Sequence, residues 1–248
     1  MHFLLRKSLT ALLLLWIPLS NADELTIAVA ANFTRAAKQL VAEFEQRSEH
    51  RVHLAFGSTG GHYAQIIHGA PFDAFFAADA KTPMRLEEEG KIQRGSRFTY
   101  ARGLLVLWSP KAGVVDPEGK VLQRGDFAHL AMANPRLAPY GLAAQQTLEA
   151  LGVAEKLQEK LVRGENISQT HQFTHSGAAE LGFVALAQII DPGKPEQISG
   201  SYWRVPADLY EPIEQQAVLL SDKKAAREFM DFVRGEKGKG IIRGYGYE

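Results

Sequence analysis

The segment Leu25-Thr26-Ile27-Ala28-Val29-Ala30-Ala31-Asn32-Phe33 indicates the fold class of this chain. Its first six residues are small, apolar or β-branched, which is typical of a buried strand in a parallel sheet. Asn32 then stands where a helix N-cap belongs. The apolar residues that continue from it recur at helical spacing, at Phe33, Ala36, Ala37, Leu40, Val41 and Phe44. The segment therefore predicts a strand, a turn and a helix.

The same alternation of strand and helix recurs along the chain. Further strands are predicted at 51–56, 72–77, 103–108, 128–133, 182–186 and 217–220, and helices at 145–151, at 154–161 and from about 222 to Gly235. Repeated strand–helix units favour doubly wound α/β sheets flanked by helices. A chain of 248 residues, less a leader of 22, suits two lobes at about 100 to 150 residues per domain.

The first 22 residues are typical of a cleaved secretory signal. Arg6 and Lys7 precede an apolar run at 9–19, and Ser20-Asn21-Ala22 places small residues at the positions that a signal peptidase reads. The run is shorter than the roughly 20 residues that a membrane span needs, and Pro18 interrupts its end. Because no cysteine follows for a lipid anchor, we expect a free protein in a bacterial periplasm.

Composition excludes several classes of function. The chain has 28 Lys+Arg, 28 Asp+Glu and no cysteine. The lack of cysteine removes thiol catalysis, thiolate metal sites and disulfides. With balanced charge and no basic block, a nucleic acid or an anionic membrane has little to bind.

Three loops share a chemistry that suits an anion. They are Ala31-Asn32-Phe33, Gly57-Ser58-Thr59-Gly60-Gly61 and Ala138-Pro139-Tyr140-Gly141. Each places amide, hydroxyl or backbone donors at a predicted helix N-terminus, and such termini meet at the carboxyl edge of a doubly wound sheet. None of the loops contains Lys, Arg, Asp or Glu, so neutral donors alone would hold the anion. Donors without an acceptor favour molybdate, tungstate or sulfate over protonated phosphate.

An ordered set of motifs extends these observations over the whole mature chain. The motifs are Val29-Ala30-Ala31-Asn32-Phe33, Phe56-Gly57-Ser58-Thr59-Gly60, Gly69-Ala70-Pro71-Phe72-Asp73, Phe76-Ala77-Ala78-Asp79, Ala133-Asn134-Pro135, Ala138-Pro139-Tyr140-Gly141, Glu165-Asn166-Ile167-Ser168, 176–184, Tyr210-Glu211-Pro212-Ile213 and Gly244-Tyr245-Gly246. In this order they resemble the periplasmic molybdate-binding proteins of ABC importers.

The resemblance implies a periplasmic binding protein fold of two α/β lobes with the oxyanion in the cleft between them. It places lobe 1 at 23–100 and 209–248 and lobe 2 at 101–208. No catalysis and no cofactor are implied. The implied function is to capture molybdate, and also tungstate, and to present the ion to a membrane permease driven by a cytoplasmic ATPase, with the receptor a monomer.

The resemblance also implies the ligand residues. Carried over by position, they are Asn32 and Thr59, with Ser58 adjacent, and the backbone N–H groups of Tyr140 and Ile167 from lobe 2. The side-chain amide of Asn32, which stands where many members carry serine, can donate two N–H bonds. Some members offer a tyrosine hydroxyl after the Gly-Phe-Val strand, where this chain has Ala185.

Other functions stay open at this point. Sulfate or another small tetrahedral oxyanion would suit the same donors. A hydrolase or phosphatase using Ser58 is the alternative of another class, although the loop lacks the G-x-S-x-G pattern and no histidine is placed to serve it. His171 and His175 lie one helical turn apart, as zinc ligands would, but no third ligand and no HExxH motif accompany them.

Overall fold

The structure is a computed structural model that describes residues 22–248. The predicted signal segment, apart from Ala22, lies outside the described residues. The strands are β1 Glu24–Ala30, β2 Arg51–Gly57, β3 Ala74–Phe76, β4 Phe98–Gly103, β5 Leu105–Ser109, β6 Leu130–Ala133, β7 Leu161–Gly164, β8 Leu181–Ala185, β9 Ser201–Arg204 and β10 Ile213–Leu219. The helices are α1 Thr34–Glu45, α2 Thr59–Ile67, α3 Lys81–Glu88, α4 Val121–Arg124, α5 Pro139–Ala150, α6 Ala154–Leu157, α7 Ile167–His175, α8 Leu186–Ile189, α9 Lys224–Arg234 and α10 Glu236–Gly244.

The strands form two five-stranded sheets, one in each lobe. The order in lobe 1 is β2-β1-β3-β10-β4, and the order in lobe 2 is β7-β6-β8-β5-β9. In lobe 1, β1 pairs in parallel with β2 and β3, whereas β10 runs antiparallel to β3 and β4. In lobe 2, β6 pairs in parallel with β7 and β8, and β5 runs antiparallel to β8 and β9. The predicted two-lobed α/β fold is confirmed.

The chain passes between the two sheets at well-defined points. It leaves the first sheet at Gly103, enters the second at Leu105, and returns between Arg204 and Ile213. The boundary placed at 100 in the sequence therefore falls inside β4, a strand that the sequence did not predict. In this strand the exposed Arg102 interrupts the apolar residues, so no continuous run marks it.

Each central strand is buried on both faces, as its composition predicts. In β1, Ile27 and Val29 face one apolar cluster while Ala28 faces another. In β5, Leu105 and Leu107 contribute to the main core of lobe 2, and Val106 faces the opposite side. This double burial explains the near-continuous apolar runs of these strands. Among residues 22–248, no helix is both long and apolar enough to span a membrane.

Two predicted helices differ from the structure. The helix predicted at 145–151 begins earlier, at Pro139, because proline suits the first turn of a helix. The helix predicted at 154–161 ends at Leu157, and its last part is a 3-10 turn at 158–160 followed by β7. β7, β9 and α10 were not predicted as separate elements.

Candidate functional site

A small pocket lies between the lobes at the carboxyl ends of β1 and β2. It is lined by Ala30, Ala31, Asn32, Gly57, Ser58, Thr59, Ala78, Ala138, Pro139, Tyr140, Asn166 and Ile167. All five residues that the sequence singled out therefore meet in one place, although Tyr140 and Ile167 come from the other lobe. This is the edge of a doubly wound sheet where ligands bind.

Three helices point their N-termini at this pocket. Thr59 and Ile167 are the first residues of α2 and α7, and Tyr140 is the second residue of α5. The first N–H groups of a helix have no intrahelical acceptor and carry the positive end of the helix dipole. Within residues 22–248, the backbone N–H groups of Thr59, Tyr140 and Ile167 have no hydrogen-bond acceptor. The pocket therefore presents unpaired N–H donors from both lobes.

Two hydroxyl groups in the second loop add donors. Ser58 Oγ accepts the backbone N–H of Gly61 at 3.2 Å and so caps α2. Thr59 Oγ1 accepts the backbone N–H of Ala78 at 3.0 Å. Each hydroxyl keeps its own hydrogen, which finds no acceptor among the described residues. Both hydrogens are therefore available to a ligand.

The side-chain amide of Asn32, which the sequence suggests as a donor to the ion, bonds within lobe 1 in this structure. Nδ2 donates to Gln215 Oε1 at 2.8 Å and to Tyr247 Oη at 3.1 Å. The Tyr247 hydroxyl in turn donates to the backbone oxygen of Asn32 at 2.8 Å. What Asn32 offers the pocket is its backbone N–H, which has no acceptor within the described part of the chain.

A buried polar network behind the pocket was not predicted. Gln215 Nε2 donates to Tyr140 Oη at 3.2 Å, and the Tyr100 hydroxyl donates to Gln215 Oε1 at 3.0 Å. Burial raises the pKa of Tyr100, Tyr140 and Tyr247 well above the ordinary range, so these phenols stay neutral. No sequence signal singles out Gln215, because it lies between Glu214 and Gln216 in the polar half of its strand.

The pocket is electrically neutral in its side chains. Within residues 22–248, no Lys, Arg, Asp or Glu lines it. A wider groove of about 460 Å³ adjoins the pocket and shares Ala78, Ala138 and Pro139 with it. Unlike the pocket, this groove is lined in part by charged residues. One of them is Asp79, whose pKa is raised by burial. Ala185 is fully buried in β8 and does not line the pocket.

The alternative sites lack the geometry for their chemistry. The His171 ring stacks on Trp108 with ring centroids 5.2 Å apart, and the His175 ring stacks on His171 at 5.7 Å. Burial lowers the pKa of His171 to about 4. No group of three or more His, Cys, Asp or Glu residues placed to hold a metal ion occurs in residues 22–248.

Among residues 22–248, no histidine or carboxylate is hydrogen-bonded to the Ser58 hydroxyl. The histidine that follows it in sequence, His62, places Nε2 3.2 Å from the Val29 oxygen and Nδ1 3.1 Å from Gln65 Oε1. Both ring nitrogens are therefore occupied away from Ser58, whose own oxygen caps a helix. This arrangement does not activate a nucleophile.

Comparisons with known proteins show the family of this chain. Residues 25–248 match the family model for bacterial extracellular solute-binding proteins. The molybdate-binding protein ModA of Azotobacter vinelandii is 52% identical over 231 residues, which cover 92% of this chain and 91% of the relative. ModA of Rhodobacter capsulatus is 47% identical over 249 residues, which cover 98% of this chain and 96% of the relative. The solved structure of the A. vinelandii periplasmic molybdate-binding protein superposes with a TM-score of 0.88 and covers 90% of this chain and 98% of that one.

Proposed function

Because this chain belongs to the bacterial extracellular solute-binding proteins, we propose that it captures molybdate in the pocket between its lobes and delivers the ion to an ABC importer. The proposal extends to tungstate, which has the same charge and tetrahedral shape. The partners we propose are a membrane permease and its cytoplasmic ATPase, with the receptor acting as a monomer in the periplasm. Binding without chemical change agrees with the solute-binding family, whose members are not enzymes.

The observation that carries the proposal is the uncharged donor set. The N–H groups of Thr59, Tyr140 and Ile167 and the hydroxyls of Ser58 and Thr59 have hydrogens without acceptors in the described residues. Each helix N-terminus adds about half an elementary positive charge. Three of them offset much of the charge of a dianion, and a fully deprotonated ion needs no acceptor from the protein.

Lobe closure follows from the division of the donors between the lobes. An ion that touches both lobes binds the closed form more tightly and so shifts the population toward it. Contacts between the lobes flank the pocket in this structure: the Gly60 N–H donates to the Leu137 oxygen at 2.9 Å, and Ser168 Oγ donates to the Ala31 oxygen at 3.1 Å. We propose that the closed form is what the permease recognises.

Titration calorimetry of the mature chain with molybdate, tungstate, sulfate and phosphate tests the proposal. We expect tight binding of molybdate and tungstate, weaker binding of sulfate and no binding of phosphate, because a protonated oxygen lacks an acceptor in the pocket. Preference for sulfate or phosphate would contradict the proposal. Hydrolysis of a phosphate ester that is lost in Ser58→Ala would instead support the enzymatic alternative.

A further inference from the structure

We propose that Gln215 is a positioning residue that couples the two halves of the oxyanion pocket. The inference rests on the proposed function, since it concerns how the same pocket is held. Gln215 lies on β10 of lobe 1 and is 0% exposed. It does not line the pocket, so any effect on a ligand passes through the residues that it contacts.

The carboxamide of Gln215 reaches a pocket residue of each lobe. Its oxygen accepts from Asn32 Nδ2 at 2.8 Å and from the Tyr100 hydroxyl at 3.0 Å, both within lobe 1. Its nitrogen donates to the Tyr140 hydroxyl of lobe 2 at 3.2 Å. Asn32 belongs to the first pocket loop and Tyr140 to the first turn of α5. The planar carboxamide of Gln215 therefore orients the side chains of both Asn32 and Tyr140.

The bond to Tyr140 lies beside the point where the chain crosses between the lobes. A Cβ added to Gly103 would overlap the Tyr140 hydroxyl and the Gln215 side-chain nitrogen. Gly103 ends β4, immediately before the chain enters the second sheet. The two side chains thus fill the space that the absent side chain of Gly103 leaves.

Separating Tyr140 from Gln215 leaves a buried N–H group without a partner. Such a group costs more free energy than the bond itself contributes, because it has lost water without regaining an acceptor. The bond therefore favours the arrangement in which the first turn of α5 faces the loops of lobe 1. Since Tyr140 also presents its backbone N–H to the pocket, the same arrangement sets the position of that donor.

Two phenol deletions separate this role from a general contribution to packing. Tyr140→Phe removes the bond from Gln215 Nε2 to the Tyr140 hydroxyl, which joins the two lobes. Tyr100→Phe is the control, because Tyr100 is also buried and its hydroxyl also bonds to Gln215, but this bond and its second bond, to the Ala77 oxygen, both lie within lobe 1. The chain has no cysteine. Spin labels on Glu88→Cys in α3 and Ala150→Cys in α5, both exposed, therefore report the distance between the lobes without interference.

In Tyr140→Phe we expect molybdate to dissociate about 3- to 10-fold faster, which corresponds to the loss of one net hydrogen bond. We also expect the interlobe distances of the ligand-free protein to lengthen. In Tyr100→Phe we expect a lower melting temperature with wild-type dissociation and distances. Equal effects of the two variants on dissociation, or unchanged interlobe distances in Tyr140→Phe, would overturn the inference.

The proposed function and this inference fail in distinguishable ways. If the wild-type protein does not bind molybdate, the proposed function is wrong. The distances between the labels in ligand-free wild type, Tyr140→Phe and Tyr100→Phe then still decide whether Gln215 couples the lobes, because that measurement needs no ligand.

Discussion

At the scale of single residues, the pocket depends on hydrogens rather than on charges. Thr59 illustrates this, because its hydroxyl accepts from Ala78 and leaves its own hydrogen for a ligand, while its side chain is only 2% exposed. Deleting a donor to a buried ion removes a bond that water cannot replace. The contribution of each donor is therefore measurable by a substitution that preserves shape.

We expect Thr59→Val to weaken molybdate binding by about 1 to 3 kcal/mol, because valine matches threonine in volume but has no hydroxyl. Titration calorimetry measures the change. The matched control is Thr174→Val: Thr174 is equally buried, but its hydroxyl bonds to the Thr170 oxygen within α7, away from the pocket. Wild-type affinity in Thr59→Val would show that its hydroxyl does not contact the ion.

At the scale of elements, the donors are useful only if the helix N-termini are held in place. α7 is held by Asn166, whose Oδ1 accepts the N–H groups of Ser168 and Gln169, both at 3.0 Å. These bonds satisfy the second and third N–H groups of the helix and leave the first, on Ile167, for the pocket. The cap therefore selects which N–H remains unpaired.

We expect Asn166→Ala and Asn166→Asp to separate capping from charge. Loss of the cap in Asn166→Ala should lower the free energy of unfolding by about 1 kcal/mol and weaken binding through a frayed α7. Asn166→Asp keeps the cap but places a negative charge against the ligand, so stability should hold while affinity falls further. Thermal unfolding and calorimetry on both variants give the comparison. If the Asn166→Asp variant binds molybdate as tightly as the wild-type protein does, the pocket does not hold an anion.

The sequence predicted the elements that depend on neighbouring residues, and it missed the contacts between residues that are far apart in the chain. The strand β1, the loop before α2 and the Pro139-Tyr140 turn follow from apolar runs, small residues and N-terminal proline, all of which act over a few neighbouring residues. The network around Gln215 does not. Asn32 lies 183 residues from Gln215 and 215 residues from Tyr247, so only the folded chain brings them together. For the same reason, the sequence suggested the Asn32 side chain as a donor without showing that lobe 1 already uses it.

In the whole molecule, several contacts join the two lobes, and one of them lies beside the pocket. The Arg35 guanidinium of lobe 1 donates to the Ile190 oxygen of lobe 2 at 2.5 Å, and Arg204 of lobe 2 pairs with Glu248 of lobe 1 at 2.8 Å. The backbone bond from Gly60 to Leu137 lies at the pocket itself. The Gly60–Leu137 bond joins two loops beside the pocket, one from each lobe, so it contributes to the closed arrangement seen here.

Substitution of Gly60 by alanine should have opposite effects on lobe closure, which it hinders, and on the stability of α2, which it increases. A Cβ at Gly60 would lie 3.2 Å from Leu137 Cα and 3.3 Å from the Leu137 oxygen, closer than ordinary packing allows. Gly60→Ala should therefore push the lobes apart and weaken molybdate binding by about 1 to 3 kcal/mol. In the open form the same alanine should stabilise α2 by up to about 1 kcal/mol relative to glycine.

The matched control is Gly240→Ala in α10, where an added Cβ meets nothing within 4 Å. It should raise the melting temperature, because alanine favours a helix over glycine, and leave molybdate affinity unchanged. Calorimetry, thermal unfolding of the ligand-free proteins and small-angle scattering with and without molybdate measure the three effects. We expect Gly60→Ala to stay more open with molybdate than Gly240→Ala does. Equal affinity in the two variants would mean that the lobes bind the ion without approaching as closely at Gly60 and Leu137 as they do in this structure.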